Sequence, residues 1–156
     1  MTRYLASAAL LAACIVIAGL IFIRVDSFFP SPSDDFFNSA SSTVQIGGKI
    51  IRVTVADTPE ARQKGLGGRN GLAPDEGMLF IFPEDGTYGF WMKNMKFPID
   101  ILWISSAQEV VFMAQNVSSD TYPQVFTPTT PVRYVLELPA GYAKAYTVKV
   151  GDEVRF

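Results

Sequence analysis

The side chains of this chain that could carry chemistry are carboxyl, ammonium, guanidinium and amide groups, because the sequence has no histidine and one cysteine. The missing histidine removes the usual general base near neutral pH, the Ser-His and Cys-His pairs, and histidine-ligated zinc. Cys14 lies in an apolar N-terminal run, so the rest of the chain has neither a thiol nucleophile nor a cysteine-bound metal. We therefore expect no metal and no cofactor.

The densest group of aromatic and polar side chains is FWMKNMKFPID, residues 90–100. On a strand, Trp91 and Lys93 project to one side and Asn94 to the other. Such a cluster could line a ligand pocket. It could equally form a hairpin in which Trp91 completes the core and Lys93 pairs with Asp100 across the turn, and we favour this second interpretation.

Two carboxyl groups raise the question of acid and base chemistry. Glu137 alternates with apolar residues, so it either faces solvent or is held by a partner such as Arg69 or Lys93. If Glu137 and Asp100 converge on one pocket, the pair could work as acid and base, as in glycoside hydrolysis.

Four glycines fall within residues 65–72, GLGGRNGL. Glycine-rich turns can cradle phosphate, but a phosphate loop ends in Gly-Lys-Ser/Thr and begins a helix, and this segment does neither. We interpret it as a structural turn. Arg69 within it could fork onto a ligand carboxylate or pair with an acid of the domain itself.

Short strands separated by turns are expected to position these groups. Residues 49–56 alternate as a half-buried strand does, and Thr58, Pro59 and Glu60 form a helix start that Gly65 ends after about two turns. Further strands are predicted at residues 77–82, 88–92, 99–105, 109–116 and 132–138, with short pieces at 146–150 and 153–156. The pattern predicts a mostly β domain, a small barrel-like or sandwich structure with one or two short helices.

An apolar run without charge occupies residues 4–23, beginning with Tyr4 and ending with Ile23. A helix of that length spans the roughly 30 Å hydrocarbon core of a bilayer. We predict an uncleaved membrane anchor, residues 1–24, because a signal peptide has a shorter apolar region of about 7 to 15 residues. The residues before Cys14 also resemble a lipidation signal, but the chain stays apolar after Cys14, where a lipoprotein turns polar.

Residues 25–42 are rich in serine, proline and aspartate, which predicts a flexible tether, and residues 43–156 form the domain. A lone N-terminal anchor usually exports the domain behind it. We therefore expect a single-pass protein of the cytoplasmic membrane with its C-terminal domain outside the cytoplasm. The domain carries 11 basic and 12 acidic residues, and without a net basic field we expect no nucleic-acid partner.

Several blocks in order along residues 43–156 carry a family resemblance. They are Gly65-Leu66 with Arg69, EGMLF (76–80), FWMKN (90–94), PIDIL (98–102), YVLELPAG (134–141) and VGD (150–152). Together they resemble the prokaryotic domain-of-unknown-function family 192 (DUF192). The resemblance implies a compact, β-rich, barrel-like domain, commonly exported or membrane-tethered, with no established activity. Members often carry Arg-Gly-Leu-Met at the turn and cysteines before the last proline-rich loop, whereas this chain has Lys64-Gly65-Leu66-Gly67 and no such cysteine.

Three functional hypotheses follow. The first is a membrane-tethered extracytoplasmic binding module for an unknown protein or small-molecule ligand, with Arg69, Trp91, Lys93 and Asn94 as its contact surface. The second is a hydrolase-like enzyme that uses Asp100 and Glu137, and the third is an accessory subunit of a membrane complex. The enzyme requires the two carboxyl groups within about 10 Å in a concave site. The binding module requires an exposed aromatic and basic patch.

Overall fold

The structure is a computed structural model that describes residues 41–156. The predicted anchor, residues 1–24 with Cys14, and all but the last two residues of the predicted tether lie outside the described range. Within that range neither helix has the length and apolarity that crossing a membrane requires.

The described residues form eight strands and two short α-helices, which confirms a mostly β domain. The strands are β1 (Ser41–Ile46), β2 (Lys49–Ala56), β3 (Glu76–Gly86), β4 (Phe90–Trp91), β5 (Ile99–Ile104), β6 (Val110–Val117), β7 (Val125–Phe126) and β8 (Val132–Pro139). Helix α1 (Pro59–Lys64) follows β2, a 3-10 turn (Ser119–Thr121) follows β6, and α2 (Tyr142–Ala145) follows β8.

Six of these strands form one sheet in the order β1-β2-β3-β8-β5-β6, and β4 and β7 form a separate two-stranded sheet. All neighbours are antiparallel except β2 and β3, which are parallel and joined through α1. The barrel expectation is wrong, because β1 and β6 are the two edges of an open sheet. The C-terminal segment bonds to both edge regions instead: Arg155 exchanges two backbone hydrogen bonds with Gln45, and Val154 donates to the Gln108 carbonyl. The segment thus covers strand edges that would otherwise be open to pairing.

The main sheet is buried on both sides, so its central strands are apolar almost throughout. All six residues of β5 are buried. One side, which we call the α2 face, packs α2 and the C-terminal segment onto a core that includes Leu79, Leu102, Leu136 and Leu138. The other, which we call the cavity face, packs α1 and the β4–β7 pair onto a core that includes Met78, Phe80, Ile101, Trp103 and Val135.

Local signals account for the first elements. Strand β2 has the predicted bounds, and the Thr58 hydroxyl caps α1 by accepting from the Ala61 N–H at 3.1 Å. Gly65 ends the helix with a positive φ of 51°. The strand predicted at residues 146–150 is wrong, because turns that follow α2 occupy those residues. Residues 153–156 make only isolated bridges, at Glu153 and Arg155.

Candidate functional site

A cavity of about 680 Å³ opens on the cavity face, between α1, the glycine-rich turn and the loop that carries β4. Buried Leu66, Phe80 and Glu137 form its base, and exposed Trp91 and Lys93 stand at its mouth. Its volume lies in the range of small-molecule sites, which are about 300 to 1,000 Å³.

Interlocked aromatic rings form one wall of the cavity. The Phe82 and Tyr88 rings stack with centroids 3.5 Å apart, and Phe80 and Phe90 meet edge to face at 4.8 Å. Behind them Trp103 donates its indole N–H to the Tyr88 carbonyl at 2.8 Å. Rings held by such contacts have few alternative rotamers, so the wall is a preformed apolar surface.

The opposite wall consists of the glycine-rich turn and the loop after β4, which are hydrogen-bonded to each other. The Gly68 N–H donates to the Asn94 carbonyl at 3.0 Å, and the Met95 N–H donates to the Met92 carbonyl at 3.2 Å. Asn94 has a φ of 60°, a left-handed conformation that asparagine tolerates better than most residues. A Cβ at Gly67 would lie 3.1 Å from the Lys64 carbonyl oxygen, so the turn approaches α1 too closely for most side chains.

Glu137 lies at the base of the cavity with only 5% of its surface exposed. Among the described residues no group donates a hydrogen bond to its Oε2 atom. Burial raises the pKa of the Glu137 carboxyl to about 8, and the positive charge of Arg69 opposes this shift only in part. The carboxyl group is therefore mainly protonated at neutral pH. Both sequence interpretations of Glu137, a solvated side chain or one held by a basic partner, are wrong.

Arg69 lies beside this carboxyl group without bonding to it. Glu137 pairs with Met78 across β8 and β3, and Met78 pairs with Thr54 across β3 and β2, so these three side chains form a row on the cavity face. Arg69 reaches the row from the glycine-rich turn, with its Nη2 atom 3.5 Å from the Thr54 hydroxyl. A contact of that length is weak, and Arg69 does not line the cavity.

Asp100 lies on the opposite side of the sheet from Glu137. Ile101 pairs with Glu137, and Asp100 pairs with Leu138, so the two carboxyl groups project to different faces. Asp100 is fully buried, and its Oδ1 accepts from the backbone N–H groups of Asn116 at 2.7 Å and Gly141 at 3.1 Å. These contacts overturn the predicted carboxylate pair.

The second carboxylate oxygen of Asp100 also accepts a backbone hydrogen bond. Its Oδ2 accepts from the Ala143 N–H at 2.8 Å, in the first turn of α2. The side chain thus joins β6, the Gly141 turn and α2, which is a structural role. The predicted pairing of Lys93 with Asp100 is also wrong, because backbone donors occupy the aspartate.

The remaining candidate residues lie together at the cavity mouth. Trp91 pairs with Val125 in the small sheet and is 54% exposed, so its predicted place in the core is wrong. Lys93 and Asn94 are exposed and line the cavity with it, and Lys93 makes no ion pair with any residue in the 41–156 range. The structure thus brings Trp91, Lys93, Asn94 and Glu137 to one cavity, places Arg69 beside it, and leaves Asp100 outside.

Sequence reasoning missed the aromatic wall and Arg62. The Arg62 guanidinium donates to the Ile81 carbonyl at 2.9 Å and lies 5.3 Å from the centre of the Phe82 ring. Both Phe82 and Tyr88 flank the polar turn after the apolar part of β3. The placement of Phe82 and Tyr88 on either side of this turn is the one feature of the local sequence that could have indicated that their rings stack.

Fold and site together define a small open-sheet β domain with an aromatic cavity whose base is a buried, neutral carboxyl group. Residues 42–156 match the sequence profile of the DUF192 family, whose description reads "Uncharacterized ACR". The chain therefore belongs to the DUF192 family, as the ordered blocks of its sequence indicate.

Relatives with the same domain occur in archaea and bacteria. The chain is 30% identical over 121 residues to a UPF0127 protein of Pyrococcus abyssi, covering 74% of this chain and 92% of that protein. It is 28% identical to a UPF0127 protein of Pyrococcus furiosus, covering 70% and 91%.

Two crystal structures share the fold. A candidate transcription regulator from Sinorhizobium meliloti superposes with a TM-score of 0.70 at 34% identity, covering 75% of this chain and 94% of that one. A protein of unknown function from Novosphingobium aromaticivorans superposes with a TM-score of 0.68 at 27% identity, covering 74% and 85%.

Proposed function

We propose that this protein is a membrane-tethered binding module that offers its cavity to a small-molecule ligand outside the cytoplasm. The observation that carries the proposal is the Glu137 carboxyl group, which is buried at the base of a preformed cavity without a hydrogen-bond donor for Oε2. An unpaired buried polar group costs about 1–3 kcal/mol of stability. A ligand that supplies the missing partner would recover that cost as binding free energy.

The tether and the location rest on the sequence. The apolar run at residues 4–23 is long enough to anchor the chain, and a single N-terminal anchor favours export of the domain behind it. Near-equal numbers of acidic and basic residues in the domain argue against DNA binding of the kind that the name of the Sinorhizobium relative implies.

A second candidate function is that of an accessory subunit of a membrane complex. Trp91, Tyr122 and Val125 are exposed by 54%, 49% and 48%, and apolar groups exposed together favour a protein contact. Val125 does not line the cavity. A Val125→Lys variant that binds small molecules normally but loses a partner would support this candidate, and one that loses the small molecule alone would count against it.

Methionine methyl groups allow a direct test of the cavity. The full-length chain in nanodiscs, labelled at the methionine methyls, carries Met95 in the cavity wall, Met78 beside Glu137, and Met113 against the α2-face core. Titration with two-ring aromatic probes such as 2-naphthamide should shift Met95 and Met78 saturably and leave Met113 unchanged. Equal shifts at all three methyls, or none that saturates, would contradict the proposal.

A further inference from the structure

The charged groups around the cavity are distributed unequally. Among residues 41–156, three basic side chains line it, Arg62, Lys64 and Lys93, and the one acidic side chain that does so is Glu137. Glu137 is buried at the base, whereas Lys64 and Lys93 are exposed. Lys93 therefore places a positive charge at the mouth, and no ion pair within residues 41–156 neutralises it.

The basic groups differ in how firmly they are placed. Arg62 is held by the Ile81 carbonyl and the Phe82 ring, so its charge stays fixed at the side of the cavity. Lys93 is exposed at the mouth, on a loop that the Met95-to-Met92 backbone bond closes. An anionic group that entered the cavity would lose little water and would meet Lys93 first.

The Glu137 carboxyl group at the base of the cavity favours a different kind of ligand group. In its protonated form a carboxyl group offers one O–H donor and keeps acceptor capacity, so it matches a neutral polar group on a ligand. It would not repel an anion as a carboxylate would. The aromatic side chains that line the cavity, which include Tyr88, Phe90 and Trp91, favour a flat, apolar body.

We infer that the ligand class of this cavity is a flat, apolar carboxylate whose anionic end lies at the mouth beside Lys93 and whose inner end meets Glu137. This inference rests on the proposed function, because it names the ligand for the same site. It differs from a cation site, because the Arg62 guanidinium already lies over the Phe82 ring and Lys93 would repel a second cation at the mouth.

Three matched probes separate the ligand classes: 6-hydroxy-2-naphthoate, 6-hydroxy-2-naphthamide and 6-hydroxy-2-naphthylmethylamine. They share a ring system and a neutral hydroxyl group for Glu137, and they differ in charge. Each is titrated into the full-length chain in nanodiscs, with the Met95 methyl as the reporter. We expect the naphthoate to bind about tenfold more tightly than the amine, and the amide to bind with intermediate affinity.

A pair of lysine variants supplies the control. Lys93→Met should weaken naphthoate binding about threefold, which corresponds to one solvent-exposed charge pair, and leave amide binding unchanged. Lys96→Met removes a nearby lysine that bonds to Asn70 and does not line the cavity, so it should change neither affinity.

The outcomes distinguish the ligand class from the function. Amine binding as tight as naphthoate binding, or an equal loss in both lysine variants, would overturn the anionic class and leave a small-molecule site in place. Failure of all three probes to shift Met95 saturably would overturn both the ligand class and the proposed function.

Discussion

The main sheet buries one carboxyl group on each face, and the two differ in what surrounds them. On the α2 face, the oxygens of Asp100 accept three backbone hydrogen bonds between 2.7 and 3.1 Å. On the cavity face, Glu137 has an oxygen without a donor among the described residues, and its pKa is raised to about 8 by burial. Asp100 pairs with Leu138 and Glu137 pairs with Ile101, so the two carboxyl groups occupy adjacent positions of the β5–β8 ladder.

Position in the sheet explains the difference. Asp100 lies near the start of β5, where the β5–β6 register shifts and the neighbouring strand β8 ends before α2, so backbone N–H groups are free of the ladder. Glu137 lies within β8, with ladder partners on both sides, where the backbone donors are already used. A carboxyl group in the middle of a sheet must be satisfied by side chains, water or a ligand.

The pH dependence of stability should show the largest difference between the two. The unfolded Glu137 carboxyl ionises near its usual 4.5, whereas the folded one keeps its proton until about pH 8. The unfolded state therefore binds fewer protons between these values, and the free energy of unfolding falls as pH rises through them, by about 5 kcal/mol from this group. Glu137→Gln lacks this loss, so its stability relative to wild type should rise from pH 5 to pH 8 in denaturant unfolding. A constant difference across that range would contradict the assignment.

Loss of the charge at Asp100 should destabilise the fold at neutral pH. In Asp100→Asn one oxygen becomes an NH₂ group that faces a backbone donor, so we expect a loss of about 3 kcal/mol in the free energy of unfolding. Asp152→Asn is the matched control, because its carboxylate accepts one bond, from the Lys149 N–H, at an exposed turn. That variant should lose less than about 1 kcal/mol. Similar losses of stability in both variants would contradict a structural role for Asp100.

Tight packing on the α2 face can be tested at a glycine of β3. A Cβ at Gly77 would lie 2.8 Å from the Glu137 carbonyl oxygen and 3.0 Å from the Leu138 side chain, whereas one at Gly71 would meet nothing within 4 Å. Gly77→Ala should therefore cost about 2 kcal/mol by overpacking, and Gly71→Ala about zero, in thermal or denaturant unfolding. A tolerated Gly77→Ala would show that this face can expand.

The smallest effect on stability is expected at the cavity mouth. Trp91 is 54% exposed, so Trp91→Ala should change the free energy of unfolding by less than about 0.5 kcal/mol. It should nevertheless weaken binding of the naphthalene probes, because the ring lines the cavity. A large loss of stability with unchanged binding would assign Trp91 to the core, as the hairpin interpretation did.

Local patterns predicted the elements whose causes are local. The alternation in β2 and the Thr58 cap of α1 need only neighbouring residues, and both predictions are confirmed. The strand predicted at residues 146–150 failed because this segment bonds back to α2: the Tyr146 N–H donates to the Tyr142 carbonyl and the Val148 N–H to the Ala143 carbonyl. The composition of the segment favours a strand, but its backbone donors are used in these turns.

Residues distant in sequence determined the rest. Glu137 is buried because α1 and the β4–β7 pair cover this face of the sheet. Alternation of residue types along β8 cannot show that both of its faces are covered. The donors of Asp100 lie 16, 41 and 43 positions away, so no spacing rule identifies them. Trp91, Lys93 and Asn94 could be grouped from sequence because they share one short segment. Their common cavity with Glu137 could not.

The protonation state of Glu137 is the central claim, and carbon NMR of the side-chain carboxyl group measures it directly. In the full-length chain labelled with ¹³C at glutamate and reconstituted in nanodiscs, the Glu137 signal is identified by its absence in Glu137→Gln. The structure predicts that this signal titrates with a midpoint near pH 8. A midpoint near 4.5 would show an ordinary solvated or ion-paired carboxylate and would contradict the account of a neutral acid at the base of a ligand cavity.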